Sequence, residues 1–279
     1  MSSRRYYSTR TGKNPLANGW NLPILLTLFK DLFSRFNEQH YFQQAFGYEC
    51  IDDGNVPGTL GTGIEFAMLR AIKKPNLWPI EERCLDYTED DLFDVIEFLY
   101  DNISKPVPRD GDYHSWGNCG WHYKVFDENA GREEYRREVN KLLADYEDGF
   151  ELSVDGEILA LPEQGFEKLL EATIPNSDHD NVNKRIESAI QKFRRYRSSM
   201  EDRKDAIRDL ADVLEYLRPQ VKSVLTTKDE SDLFNIANNF GIRHHNSDQK
   251  TEYDKPIWYS WMFYYYLATI HAALRLLKL

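Results

Sequence analysis

Ile257-Trp258-Tyr259-Ser260-Trp261-Met262-Phe263-Tyr264-Tyr265-Tyr266-Leu267-Ala268-Thr269-Ile270-His271-Ala272-Ala273-Leu274 lies close to the C-terminus. The run is about as long as a membrane span, and before Arg275 its only ionisable side chains are tyrosines and His271. Its aromatics are spread along its length instead of gathering at two ends, and Ser260, Thr269 and His271 interrupt it. These features predict a helix buried on nearly every side within a bundle, with no membrane association.

Upstream of that run the pattern stays helical. Val182, Ile186, Ala189, Ile190, Phe193, Tyr196 and Met200 mark one helix. Ala206, Ile207, Leu210, Leu214 and Leu217 mark another, expected to stop near Pro219. Residues 233–241 give a short third helix and 257–277 the fourth. Four helices with short connections in about 100 residues make a compact bundle over 181–279. The polar stretch 174–180 is the expected boundary before it.

Residues 1–20 are polar, with Gly12, Pro15 and Gly19, and read as an arm. Residues 21–175 read as a helical region carrying one β-hairpin. Leu25, Leu28, Phe29, Leu32, Phe33 and Phe36 recur at helical spacing, and Pro23 suits a first turn. Thr88 and Asp91 form a partial capping box ahead of Leu92, Phe93, Ile96, Leu99 and Tyr100. A charged helix is expected over 131–146. Phe150, Leu152 and Val154 alternate before Asp155-Gly156, and Ile158 and Leu159 follow, which predicts the hairpin over 149–161. The fold class is therefore mostly α, a helical bundle preceded by an α+β region. The run Pro57-Gly58-Thr59-Leu60-Gly61-Thr62-Gly63 lacks the Gly-Lys-Ser/Thr of a phosphate loop and reads as turns.

The charge is distributed unevenly. The net charge of −11 opposes wholesale wrapping by nucleic acid. Residues 81–180 carry 9 basic against 27 acidic side chains, whereas 181–279 carry 17 against 13, a balance of +4. Nucleic-acid contact therefore belongs to the ends of the chain. Three cysteines, Cys50, Cys84 and Cys119, do not make a disulfide framework and fit a reducing cytoplasm. The basic start Met1–Tyr7 has no apolar core of a signal peptide after it.

One segment combines groups suited to phosphodiester chemistry: Phe240-Gly241-Ile242-Arg243-His244-His245-Asn246. A guanidinium holds phosphate in a planar fork, and two imidazoles move protons near neutral pH. The same residues also fit an ordinary helix end, with cations on the dipole and Asn246 as cap. Lys192-Phe193-Arg194-Arg195-Tyr196-Arg197 adds a basic cluster with an aromatic. If helical, it places Arg194 and Arg197 on one face. His114, Cys119 and His122 gather in an aromatic loop, but three local ligands fall short of a structural zinc set, and the expectation is no metal and no cofactor.

Two long helices, a short helix ending in Asn239-Phe240-Gly241-Ile242-Arg243-His244, and a long final helix resemble the HEPN superfamily of bacterial toxins, abortive-infection proteins and ribonucleases. Active members share an Arg, a polar residue and a His four to six positions beyond the Arg. Here Arg243 and His244 match, while Ser247, Asp248, Gln249 and Lys250 stand downstream. Residues 1–180 distantly resemble the N-terminal modules of AbiJ-like phage-defence proteins. The resemblance implies a metal-independent endoribonuclease or toxin-like effector acting as a homodimer. Its catalytic residues would be Arg243, His244 and His245, with RNA contacts from Arg194, Arg197, Asn239 and Asn246. A non-catalytic HEPN-like protein, dimerising through the bundle and binding a partner through the N-terminal region, is the other reading.

Overall fold

The computed structural model describes residues 6–17, 19–174, 178–222, 234–236, 240, 242 and 253–277. The chain forms two compact units, Met1–Leu161 and Pro162–Leu279. The division falls ahead of the polar stretch where composition alone places it. Residues between the two positions belong physically with the second unit. Ser260 donates to the Glu163 carboxylate, Phe166 stacks on Tyr264 with ring centroids 4.0 Å apart, and Leu169, Leu170 and Ile174 pack on the second core.

Among the described residues the first unit is built on four main helices. Helix α1, Leu22–Glu38, starts at Asn21, whose side chain accepts from the Ile24 amide at 3.1 Å. It buries Leu25, Leu26, Phe29, Leu32, Phe33 and Phe36. Helix α2, Ile64–Ile72, lies at the periphery and buries only Met68. Helix α3, Glu89–Asn102, has the full capping box: the Asp91 amide donates to Thr88 Oγ1 at 3.2 Å, and the Thr88 amide donates to Asp91 Oδ2 at 3.0 Å. Helix α4, Glu128–Leu143, is charged outside, and inside it carries Tyr135, fully buried edge-on to Phe36. Gly131 lets α4 approach the backbone of Ser104 and Lys105, where a Cβ would stand 2.7 Å from main-chain atoms.

The expected hairpin is present as β7, Phe150–Leu152, and β8, Ile158–Ala160, turning at Asp155-Gly156. Gly156 has φ +85°, and its missing Cβ leaves room for the Tyr100 ring. Asn140 of α4 serves β7 as a third strand would. Its Nδ2 donates to the Leu152 carbonyl at 3.1 Å, and its Oδ1 accepts the Leu152 amide at 2.7 Å.

Three further antiparallel pairs stand where the sequence carries no strand signal. They are β1, Gly47–Cys50, with β2, Gly54–Pro57; β3, Lys105–Pro106, with β6, Phe126–Asp127; and β4, Gly111–His114, with β5, Gly120–Tyr123. These strands are short and mostly half exposed, so no hydrophobic alternation announces them.

The second unit is helical. Helices α5, Lys184–Arg194, α6, Met200–Val221, and α7, Lys255–Leu277, share one core in which Phe193 and Phe263 stack at 3.9 Å. The final helix is largely buried, as expected, though Ile257, Trp258, Trp261 and Leu276 face outward. Among the described residues no helix is long and apolar enough to cross a membrane. Two expectations are corrected. The first helix ends at Arg194 instead of continuing to Met200, because Ser199 caps a new helix through a box with Asp202, its hydroxyl accepting from the Asp202 amide at 3.1 Å. Helix α6 passes through Pro219 and stops at Val221: a proline this near the end removes one bond and leaves little helix to disrupt.

Candidate functional site

The junction of α5 and α6 gathers cations by local sequence. Residues 192–208 hold seven basic side chains against three acidic ones. Arg195 is extended (ψ 140°) and Arg197 left-handed (φ +52°), so the chain turns sharply between the helices. Ser198 Oγ closes that turn by donating to the Lys192 carbonyl at 2.8 Å. Arg194 and Arg197 therefore do not share a helical face. Arg194 is 9 % exposed, whereas Arg197 lies exposed with its guanidinium 4.9 Å from the Tyr196 ring centroid.

Other cations of the same corner are given no RNA contact by the sequence reading. Arg195 is exposed. Arg203 lies over Phe193 at 5.2 Å, and Lys192 pairs with Asp209 at 2.6 Å. The Asp202 carboxyl is held below its usual range, chiefly by Ser199, with Arg195 and Lys192 adding to the effect. The available signal was the charge balance of the whole turn, which outweighs any pair chosen by helical spacing.

The segment ahead of the Arg-His-His motif is pinned to this unit at two points. Ile242 is buried, and Arg208 Nε donates to its carbonyl at 3.1 Å while Arg208 Nη1 meets Asp205 at 2.5 Å. Phe240 stacks on Trp258, and Tyr253 donates to the Phe240 carbonyl at 2.9 Å. Asn239, Arg243, His244, His245 and Asn246 lie outside the described residues. Arg243 follows the anchored Ile242 directly in the chain, and that anchor belongs to the basic α5–α6 corner.

The first unit holds a second cluster with chemical potential. His114, Cys119 and His122 of the aromatic loop are joined by Cys50 at the end of β1. Burial and the neighbouring His114 push His122 below the ordinary histidine range, which favours the neutral, ligating imidazole. Sequence reading missed Cys50 because it stands 64 residues from His114. The glycine-rich run 57–63 borders an open cavity of about 400 Å³, and Glu49 and Glu65 among its lining residues disfavour an anion there.

Comparison with protein-family models, with curated proteins and with solved structures finds no match to this chain.

Proposed function

We propose that this protein acts on RNA as a HEPN-type ribonuclease or toxin-like effector in bacterial phage defence, with no metal in the chemical step. The observation that supports the reading is the tether of Ile242 to Arg208. It joins the residue preceding Arg243 to the corner where the bundle concentrates positive charge.

In this mechanism His244 or His245 removes the proton of a ribose 2′-OH, and the 2′ oxygen attacks the adjacent phosphorus. Arg243 stabilises the charge that develops on the phosphoryl oxygens. The 5′ oxygen leaves with a proton from the other imidazole, giving a 2′,3′-cyclic phosphate and a free 5′-OH. A homodimer pairs two motifs, which compensates for the absence of a histidine four to six residues after Arg243. Arg195, Arg197 and Arg203 hold the RNA backbone, and Tyr196 offers a stacking face.

The test is cleavage of single-stranded RNA by purified protein in magnesium-free buffer. Wild type cleaves, Arg243→Ala does not, and Arg243→Lys loses more than its retained charge suggests because the planar fork is gone. Intact RNA with wild type, or equal cleavage by Arg243→Ala, overturns the proposal. One observation favours a second reading, partner binding through the first unit: Trp116 is 75 % exposed and Tyr113 60 % exposed on the β4–β5 hairpin, residue types that anchor protein contacts.

A further inference from the structure

The geometry points to a structural zinc site formed by Cys50, His114, Cys119 and His122, tying the β1–β2 hairpin to the β4–β5 hairpin. The ligand atoms of Cys50, Cys119 and His122 lie within 4.8 Å of one another. Cys50 is shared with a second grouping in which its Sγ is 3.7 Å from His114 Nδ1. The two imidazole rings have centroids 4.2 Å apart. A tetrahedral zinc with sulfur near 2.3 Å and nitrogen near 2.0 Å sets ligand–ligand spacings of about 3.3–3.8 Å. The Cys50–His114 spacing already falls in that range, and the first grouping needs to draw in by at most about 1.3 Å.

Burial supplies an independent sign. His122 is 5 % exposed, yet its Nε2 has no hydrogen-bond partner among the described residues. A buried imidazole nitrogen left unsatisfied loses its hydration without compensation, and a metal bond removes that loss. The groups around the four ligands also suit a metal. The Ile51 amide donates to Cys119 Sγ at 3.1 Å, a contact that orients the sulfur. Gln43 fixes the strand on both sides of His122: its Nε2 donates to the Trp121 carbonyl and its Oε1 accepts the Tyr123 amide, each at 2.8 Å. Tyr48 stacks on the His122 ring at 4.1 Å.

Two thiolates and two imidazoles in a tetrahedral arrangement select zinc over calcium or magnesium, which take oxygen ligands. Four protein ligands close the coordination sphere, so the ion holds structure and has no open position for a substrate. Its role is to fix the β4–β5 hairpin, and with it the exposed Tyr113 and Trp116, to the helical core. Asp52 Oδ2 stands 4.0 Å from His114 Nδ1 on an exposed turn and is not assigned as a ligand.

The test uses the full chain, purified under reducing conditions without chelator, and measures bound metal by elemental mass spectrometry. The expected content is about one zinc per chain, lost in Cys50→Ser and in Cys119→Ser and retained in Asp52→Asn. Because a serine at buried Cys50 can unfold the hairpin, a second measurement uses the unaltered protein. Alkylation of each cysteine is followed by peptide mass spectrometry with added zinc, then with chelator. Zinc slows Cys50 and Cys119 by at least about tenfold and chelator restores the rate, while Cys84, whose thiol donates to the Leu26 carbonyl, does not respond. Absence of both zinc and protection overturns the proposal. So does a Cys50–Cys119 disulfide in protein whose reduced thiols fail to bind zinc. Loss of zinc in Asp52→Asn overturns the assignment of His114 as fourth ligand. None of these readouts depends on RNA cleavage.

Discussion

Arg208 Nε donates to the carbonyl of Ile242 across 34 residues of sequence, at 3.1 Å. Through this bond α6 grips the residue that immediately precedes Arg243. Replacing Arg208 by Met keeps the aliphatic stem and removes the donor. Expected are a loss of stability of about 1 kcal/mol, since the group is partly exposed, and a larger proportional loss of RNA cleavage. Thermal unfolding and cleavage rates measured on the same preparations separate the two effects. Unchanged cleavage would show that the anchor does not position the motif.

Asn140 satisfies both main-chain groups of Leu152. Asn140→Ala leaves an amide and a carbonyl in a half-buried place without their partner, which destabilises by roughly 2 kcal/mol. Urea denaturation checks the value. Asn140→Asp is the discriminating control: it keeps the acceptor for the Leu152 amide and turns the other contact repulsive, so it should fall at or below alanine.

His271 is buried in α7, and its Nδ1 has no hydrogen-bond partner among the described residues. Burial, with Arg275 adding to it, holds its pKa below the ordinary value of about 6.5. Above that pH the folded and unfolded chains both carry neutral His271 and stability is undiminished. As pH falls below it, the unfolded chain binds a proton that the folded chain refuses, so stability drops. His271→Phe removes the titration while conserving apolar bulk. Between pH 7.5 and pH 5.5 the melting temperature of the wild type should fall faster than that of the variant. Parallel pH profiles would disprove the assignment.

Local signals in the sequence located most helices. The Thr88–Asp91 box and the spacing from Leu25 to Phe36 are complete within one or two turns of chain, and Asp155-Gly156 fixes its hairpin alone. The break after Arg194 was readable too, since Ser199 and Asp202 form a capping box, but the apolar spacing runs on to Met200 and hides it. The β1–β2 hairpin and the joining of Cys50 to His122 were not readable. Polar, half-exposed strands carry no periodicity, and the meeting of residues 64 or more positions apart is a property of tertiary packing. Arg194 and Arg197 were paired by an assumed helix, and the turn between them separates a buried guanidinium from an exposed one.

Gln43 and Asn140 share a trait with consequences for how the protein survives at high concentration. Each amide side chain occupies outward-pointing main-chain groups of a strand that has one strand neighbour among the described residues: the Trp121 carbonyl and Tyr123 amide on β5, the Leu152 amide and carbonyl on β7. An unpaired strand edge is a template for strand addition by another copy of the chain, and these two side chains fill bonding positions that such an addition would use. The aromatic hairpin and the Asp-Gly hairpin are thereby shielded on these edges from runaway cross-chain β-association, without lengthening either sheet.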